Sequence, residues 1–191
     1  LVLALLGAVT AQAGPPLNAP KILDISEASG ALDFEAMDGA YVSAVIVRAS
    51  HGATVDAQAA AYVGQLQAAG IPVPALYHEY DPALPWPAQY DALAGVMDAT
   101  GVERAAVRLG GNLTAPALTG ARAMLDELTE DYPLPFPYRH LILTDAAAWQ
   151  ALGSPAWGAS YELWIIDHTP GAVNPVALPP WKTWRLWQYV E

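Results

Sequence analysis

The chain has 191 residues, of which 54% are hydrophobic and 14% are charged, and its net charge is −11. This is enough apolar material for one sizeable core, so the composition predicts one folded domain, with or without a short extra segment. A surface this acidic repels nucleic acid, and no basic stripe with interleaved aromatic residues is present. The absence of cysteine excludes disulfides, thiolate metal sites and a cysteine nucleophile. The histidines fall in different segments without metal-ligand spacing, at positions 51, 78, 140 and 168.

The first 20 residues form a segment with two interpretations. Residues 1–9 are an apolar run, Ala11-Gln12-Ala13 has the form of a signal-peptidase cleavage site, and residues 14–20 are rich in proline. A signal-peptide remnant would place the protein outside the cell or at its surface. A docking segment of a longer polypeptide would instead bind a protein partner. A run of about a dozen apolar residues is too short to span a membrane. We therefore divide the chain into residues 1–20 and one domain over residues 21–191.

From residue 21 onwards, strand-like runs alternate with helical patterns. Strands are predicted over residues 21–25, 42–48, 71–77, 104–109 and 139–143, and helices over residues 56–69, 86–99, 115–130 and 146–152. Three further strands, over residues 161–166, 172–177 and 184–189, leave no room for helices between them.

This alternation predicts an α/β fold with a parallel sheet. Five strand–helix units followed by three bare strands suggest an irregular TIM-like (β/α)5β3 barrel in a single domain. An open doubly wound sheet is the alternative. It is disfavoured because residues 26–30, which follow the first strand, do not form a glycine-rich phosphate loop.

Several blocks in chain order carry a resemblance to a known family. They are Leu23-Asp24-Ile25-Ser26 with Asp33-Phe34, Val45-Ile46-Val47-Arg48-Ala49-Ser50 with Gly52 and Asp56, Gly70-Ile71-Pro72-Val73 with Tyr77-His78, Leu143-Thr144 with Trp149, Leu163-Trp164-Ile165, and Trp184-Arg185-Leu186-Trp187-Gln188-Tyr189. Together they resemble the glycoside hydrolases of family 25, the Chalaropsis-type lysozymes, over nearly the whole chain. The resemblance implies a flattened (β/α)5β3 barrel, cleavage of peptidoglycan between N-acetylmuramic acid and N-acetylglucosamine, and no cofactor.

The fourth strand departs from the family pattern. Family members end this strand in an Asp-x-Glu pair, with the Glu as proton donor, whereas here Arg108 and Gly110 stand at those positions. Hydrolysis of a glycoside needs one carboxylic acid and one carboxylate. Arginine stays protonated and cannot serve as the acid, and no carboxylate lies between Glu103 and Asp126. The resemblance therefore implies the scaffold of a lysozyme with its catalytic pair lost.

The remaining carboxylates at strand ends are the candidate catalytic residues. Asp24 matches the family's first-strand Asp, and Asp167 lies near another family carboxylate position. Glu79, after the third strand, is the available substitute acid if burial between neighbouring tyrosines raises its pKa. The competing interpretations are a helix or turn cap for Asp24 and solvated loop positions for Asp167 and Glu79.

Candidate ligand-binding residues lie on the same strands and loops. Tyr77 and Tyr80 flank Glu79, and Trp86 follows the third strand as a candidate exposed aromatic residue. Arg108 either forms a structural ion pair with nearby carboxylates, the interpretation we prefer, or binds an anionic ligand group such as a muramyl carboxylate. Trp187 completes the set, although core packing is the common role of a strand tryptophan.

Three functional hypotheses follow. In the first, which we prefer, the domain is a catalytically degenerate lysozyme-like module that binds peptidoglycan or another glycan, or has a structural role, at a cell surface or in a phage particle. In the second, it is an active muramidase with a relocated acid. In the third, it is an assembly domain without a sugar ligand, whose residues 1–20 dock on a partner.

Overall fold

The structure, a computed structural model, describes residues 21–39, 42–169 and 175–188; residues 1–20, with their two interpretations, lie outside these ranges. The strands are β1 (Lys21–Ile25), β2 (Val42–His51), β3 (Thr54–Val55), β4 (Leu76–Glu79), β5 (Ala105–Arg108), β6 (Leu141–Asp145), β7 (Glu162–Ile166) and β8 (Leu186–Gln188). The α-helices are α1 (Phe34–Gly39), α2 (Ala59–Ala68), α3 (Trp86–Thr100), α4 (Ala115–Asp131) and α5 (Ala146–Ala151), with 3₁₀ helices at Glu27–Ser29 and Ala156–Ser160.

One curled parallel sheet organises the molecule, in the order β1-β2-β4-β5-β6-β7-β8, with β3 pairing antiparallel to β2. The strands follow one another in chain order, whereas a doubly wound sheet reverses direction at a switch point. Gln188 Nε2 on β8 lies 3.5 Å from Asp24 Oδ2 on β1, so the first and last strands approach each other. The predicted TIM-like α/β fold is therefore confirmed, and the doubly wound alternative is wrong.

The sheet separates two apolar cores. The outer core lies between the sheet and the helices, and its large, fully buried members include Leu66, Leu93, Met124 and Leu128. The smaller inner core fills the barrel. It consists of alternate residues in or next to the strands, because successive side chains point to opposite faces of a sheet. Its members are Ile46, Ala75, Tyr77, Ala106, Leu141, Leu143 and Trp164.

Some predicted boundaries are wrong, and proline explains two of them. The strand predicted over residues 71–77 begins only at Leu76, because Pro72 and Pro74 cannot donate to a β-ladder. The strand predicted over residues 172–177 is not formed by residues 175–177, which are irregular and begin with Pro175; residues 172–174 lie outside the described ranges. Neither α1 nor β3 was predicted.

A buried polar network ties β2 and β4 to α3. Gln89 donates to the carbonyl oxygens of Asp81 and Leu84 and accepts from the Asp81 amide, which fixes its Oε1 toward His78. His78 Nε2–H therefore donates to Gln89 Oε1 (3.2 Å), and the Ser50 hydroxyl donates to His78 Nδ1 (2.9 Å). The imidazole is fully buried, and this burial lowers its pKa from 6.5 to about 4.

Candidate functional site at the carboxyl edge of the barrel

Parallel strands bring their carboxyl ends to one edge of the sheet, where barrel sites are built. Tyr77 and Glu79 on β4 lie at positions whose side chains point to the inner face of the sheet, as do Arg48 on β2 and Arg108 on β5. In the register of the sheet, Glu79 is opposite Arg108 and Arg48 is opposite Tyr77. Two cations, a carboxylate and a phenol therefore lie around the same opening.

Glu79 bridges the two arginines. Its Oε1 lies 3.2 Å from Arg108 Nη1, and its Oε2 lies 3.5 Å from Arg48 Nη1. The exposed imidazole of His51 lies 4.0 Å from the same Oε2. The Glu79 side chain is 23% exposed and that of Arg108 is 46% exposed, so this bridge lies at the rim of the opening. Both carboxylate oxygens of the proposed substitute acid are thus engaged by cations.

Arg48 is held from the other side by Asp56. The Asp56 side chain is 1% exposed, and its Oδ2 accepts from Arg48 Nε at 3.2 Å and from the Glu27 amide at 2.9 Å. Its Oδ1 accepts from the Gln58 amide at 3.1 Å. The carboxylate of Glu27 adds a longer contact of 3.7 Å to Arg48 Nη2. These bonds fix the guanidinium of Arg48 in one orientation beneath Glu79.

Tyr77 lies inside this ring of charges. It is buried, and its ring packs edge-on against Trp164 with the centroids 6.1 Å apart. Burial raises the pKa of its phenol well above 10, the negative charges of Asp24 and Glu79 raise it further, and the arginines partly oppose them. Tyr77 therefore keeps its proton at working pH and serves as a neutral hydrogen-bonding group.

Asp24 on β1 and Asp167 after β7 reach the same edge. Asp24 approaches Gln188, as described above, and Asp167 follows β7 with its backbone amide donating to the Gln188 carbonyl at 3.0 Å. The Asp167 carboxylate accepts from the Thr169 amide at 3.0 Å. An open pocket of about 650 Å³ lies beside it. Charged or polar side chains lining this pocket include Arg108, Asp145, Gln150, Asp167, His168 and Thr169.

At Gly110, where the resemblance in the sequence predicts a proton donor, there is space for a side chain. A Cβ there would meet Asn112 Oδ1 at 3.1 Å, a contact that a small movement of the amide relieves. At Gly111, by contrast, a Cβ would lie 2.9 Å from the Cα of Ala148, so a side chain is excluded by backbone. Lack of space therefore does not exclude a side chain at position 110.

Three predicted ligand-binding residues lie away from this opening. Tyr80 is buried in the outer core, and both Tyr80 and the half-buried Trp86 lie against Gly120 of α4, where a Cβ would meet the Tyr80 hydroxyl at 2.8 Å. Trp187 packs against the outer core and donates from Nε1 to the Asp167 carbonyl at 2.9 Å. Trp86 is thus not the isolated exposed aromatic that its sequence position suggested.

The site also contains residues that sequence reasoning did not single out. Arg48 is a charge within a mostly apolar strand, and this charge was the available signal. Asp56 lies at the start of a predicted helix, although α2 begins only at Ala59. Asp145 caps α5 by accepting from the Ala148 amide at 2.8 Å and also lines the pocket. No sequence signal distinguishes this second role from an ordinary helix cap.

The cations and the protonated phenol of this arrangement can hold hydroxyl or carboxylate groups of a ligand. Within residues 21–39, 42–169 and 175–188, no cluster of three His, Asp or Glu side chains could hold a metal ion. Every helix of this part of the chain is too short or too polar to cross a lipid bilayer.

No protein-family model matches the sequence, and no curated protein matches it. Solved structures do match the fold. A glycoside hydrolase family 25 lysozyme from Aspergillus fumigatus superposes with a TM-score of 0.70 at 18% identity, over 86% of this chain and 84% of that chain. The CTP1L endolysin gives a TM-score of 0.69 at 18% identity over 90% of this chain. The modular autolysin LytC from Streptococcus pneumoniae, in complex with a synthetic peptidoglycan ligand, gives 0.67 at 16% identity over 90% of this chain.

The chain spans 60% of the length of the endolysin and 42% of that of the autolysin, so it matches one part of each. At these identities the likeness concerns the fold. The chain has a lysozyme-like fold.

Proposed function

We propose that this domain binds a peptidoglycan-type glycan at the carboxyl edge of its barrel and does not hydrolyse it. The observation that carries the proposal is the bridge of Glu79 between Arg48 and Arg108, next to a glycine at the proton-donor position. The expected acid has no side chain, and the nearest substitute has both oxygens bound by cations. An oxocarbenium-like transition state is cationic, and Arg108 opposes such a charge.

The opening itself supports a ligand. Arg108 does not fill it, since its side chain is 46% exposed and lines an open pocket of about 650 Å³. An arginine that closed the opening would instead favour the hypothesis of a scaffold domain without a sugar ligand. The site offers cations, carboxylates and a protonated phenol, which suit the hydroxyl, amide and carboxylate groups of a muramyl glycan. The peptidoglycan ligand of the structurally similar autolysin agrees with this choice of glycan.

Purified cell walls test both halves of the proposal in one preparation. We expect the domain to sediment with the walls and to cause no clearing of their turbidity. Arg108→Ser should weaken sedimentation, whereas Arg122→Ser, an exposed cation on α4, should leave it unchanged. Clearing that is abolished by Glu79→Gln would instead establish an active enzyme with a relocated acid. Absence of sedimentation would favour the assembly domain.

The proposed location follows from this ligand. A domain that binds cell-wall glycan acts at a cell surface or in a phage particle, which agrees with the interpretation of residues 1–20 as a signal-peptide remnant.

A further inference from the structure

A second groove lies at the opposite, amino edge of the barrel. Its volume is about 850 Å³, within the range of roughly 300–1,000 Å³ that is usual for small-ligand sites. It is formed by the segments that lead into β6, β7 and β8. Phe136, Trp181, Lys182, Trp184 and Arg185 are among the residues that line it.

This groove concentrates positive charge in an acidic protein. The chain has eight Lys and Arg residues against 19 Asp and Glu. Arg139, Lys182 and Arg185 line the groove, and Glu162 is the only carboxylate among the lining residues that the structure describes. Arg104, behind the groove, pairs with Glu162, which Arg185 Nε also approaches at 3.7 Å. The groove therefore carries more positive than negative charge, in a chain whose net charge is −11.

The aromatic side chains of the groove are held by contacts behind them. Trp181 donates from Nε1 to the Tyr161 carbonyl at 2.8 Å and packs on Trp149, with the ring centroids 4.6 Å apart. Trp184 packs against Trp187, with the ring centroids 6.4 Å apart. Aromatic rings fixed in this way offer apolar faces to a ligand without further loss of side-chain entropy.

Phe136 is the exception, because nothing in the described structure covers it. It is 91% exposed at the rim, although burial of a phenylalanine side chain is favourable. Its ring is therefore free to pack on a sugar ring that binds in the groove.

Three backbone amides of the groove are already paired within the fold. The amide of Glu162 donates to the His140 carbonyl, that of Arg185 to the Leu163 carbonyl, and that of Trp181 to the Leu178 carbonyl. A peptide that adds to a sheet needs unpaired strand amides, and these three positions do not supply them. The aromatic faces and cationic side chains of the groove are the groups that favour a sugar ligand with carboxylates.

From these features we propose that the amino-edge groove binds an acidic polysaccharide, a chain of sugar rings that carry carboxylate groups. The C–H face of a pyranose ring packs on the aromatic side chains, and its carboxylate accepts charge-assisted hydrogen bonds from Lys182 and Arg185. The net charge of −11 disfavours non-specific binding of the same polymer to the remaining surface. The proposal is independent of glycan binding at the carboxyl edge, and its test uses no peptidoglycan.

The test is calorimetric titration with tetragalacturonate, an acidic tetrasaccharide, using maltotetraose and tetraglutamate as the neutral-sugar and acidic-peptide probes. We expect tetragalacturonate to bind at low ionic strength, more weakly at about 0.15 M salt, and maltotetraose and tetraglutamate to bind at least tenfold more weakly. Lys182→Ser and Phe136→Ser should each weaken binding about tenfold, the effect of losing one charge-assisted or apolar contact. Arg122→Ser removes one cation outside the groove and should change the affinity less than twofold.

Four results would overturn the proposal. Equal binding of tetraglutamate would indicate an acidic peptide ligand, and equal binding of maltotetraose would remove the role of the cations. If tetragalacturonate does not bind, the groove does not recognise an acidic polysaccharide. If it binds equally well to the wild type and to the two groove variants, this edge is not the site. Both substituted side chains are exposed, so a matching urea midpoint for each variant will separate loss of binding from loss of fold.

Discussion

Glu79 and Arg108 are register partners on adjacent strands, and their side chains meet as a 3.2 Å ion pair at the carboxyl edge of the barrel. Because Arg48 approaches the other carboxylate oxygen, Glu79 is an acceptor shared between two cations. This relationship gives Arg108, which stands where the resemblance predicts a catalytic Asp, a partner within the fold.

The Glu79–Arg108 pair should contribute little to stability. A double-mutant cycle with Glu79→Gln and Arg108→Gln, followed by urea unfolding, should give a coupling free energy below about 1 kcal/mol, because Arg108 is 46% exposed and water screens the pair. A coupling above about 2 kcal/mol would mean that the pair is effectively desolvated and that its retention is explained by stability alone.

Asp56 should matter far more. Asp56→Ala leaves Arg48 and two backbone amides without their buried acceptor, so we expect the free energy of unfolding to fall by roughly 2–4 kcal/mol. Urea unfolding measures this change, and Asp91→Ala, at an exposed position on α3, should shift it by less than about 0.5 kcal/mol. Similar effects of the two substitutions would contradict the assignment of Asp56 as the anchor of Arg48.

Two glycine substitutions should change stability in opposite directions. At Gly158 an added Cβ would lie 2.7 Å from Trp149 and 3.1 Å from Trp181, so Gly158→Ala should destabilise the domain by about 1–3 kcal/mol. At Gly95, within α3, a Cβ meets nothing within 4 Å, and Gly95→Ala should stabilise by roughly 0.5–1 kcal/mol. Thermal unfolding of both variants gives the comparison, and a neutral Gly158→Ala would refute close packing around Trp149.

Acid should destabilise the domain through His78. The unfolded chain protonates this side chain near its ordinary pKa of 6.5, whereas burial keeps it neutral in the folded state down to about pH 4. The unfolded state therefore binds more protons between these values, and stability falls as the pH decreases through this window. At about pH 4.5 the loss from this group should be roughly 2–3 kcal/mol relative to neutral pH.

Urea titrations across this range measure the slope of stability against pH for the wild type and for His78→Gln. The slope should be shallower in His78→Gln and unchanged in His168→Gln, whose side chain is exposed. An unchanged slope in His78→Gln would show that other groups account for the acid sensitivity.

Introducing the Asp-x-Glu pair that the resemblance predicts for the fourth strand should not produce hydrolysis. In Arg108→Asp combined with Gly110→Glu, the new Glu fits with a small shift of Asn112, but the new Asp faces Glu79 where a cation had been. We expect a folded, destabilised variant whose turbidity clearing stays at the level of the wild type. Clearing raised by the factor of about 10²–10⁴ that is typical of general acid–base catalysis would show that only these two side chains are missing.

The fold was largely predictable from sequence because apolar strands and amphipathic helices alternate with a clear period. Strand boundaries near prolines were not, since Pro72 and Pro74 change pairing without changing hydrophobicity. Part of the candidate site was predictable, namely that its residues lie at strand ends. The carboxyl edge includes Asp24, Glu79, Arg108 and Asp167.

The features of the site that the sequence did not predict depend on which face of the sheet a side chain points to and on tertiary contacts. Tyr77 points into the barrel, whereas Tyr80 lies three residues further along, beyond the end of β4, and reaches the outer core, so proximity in sequence did not place both at the opening. The bond between Arg48 and Asp56 joins a strand to the turn before α2, and no periodicity in the sequence marks it. Glu79 looked like a solvated loop carboxylate or a buried acid until its two cationic partners were placed.

The strands β1 and β8 approach each other at the contact between Asp24 and Gln188, and they run in the same direction because every pairing between them along the sheet is parallel. Residue 21 therefore lies at the amino edge, and residue 188 lies at the carboxyl edge. A domain immobilised on a sensor through a tag attached before residue 21 presents the charged opening to solution and its aromatic groove to the support. A tag attached after residue 188 reverses this orientation. The two attachment points therefore give a ligand in solution access to one edge or to the other.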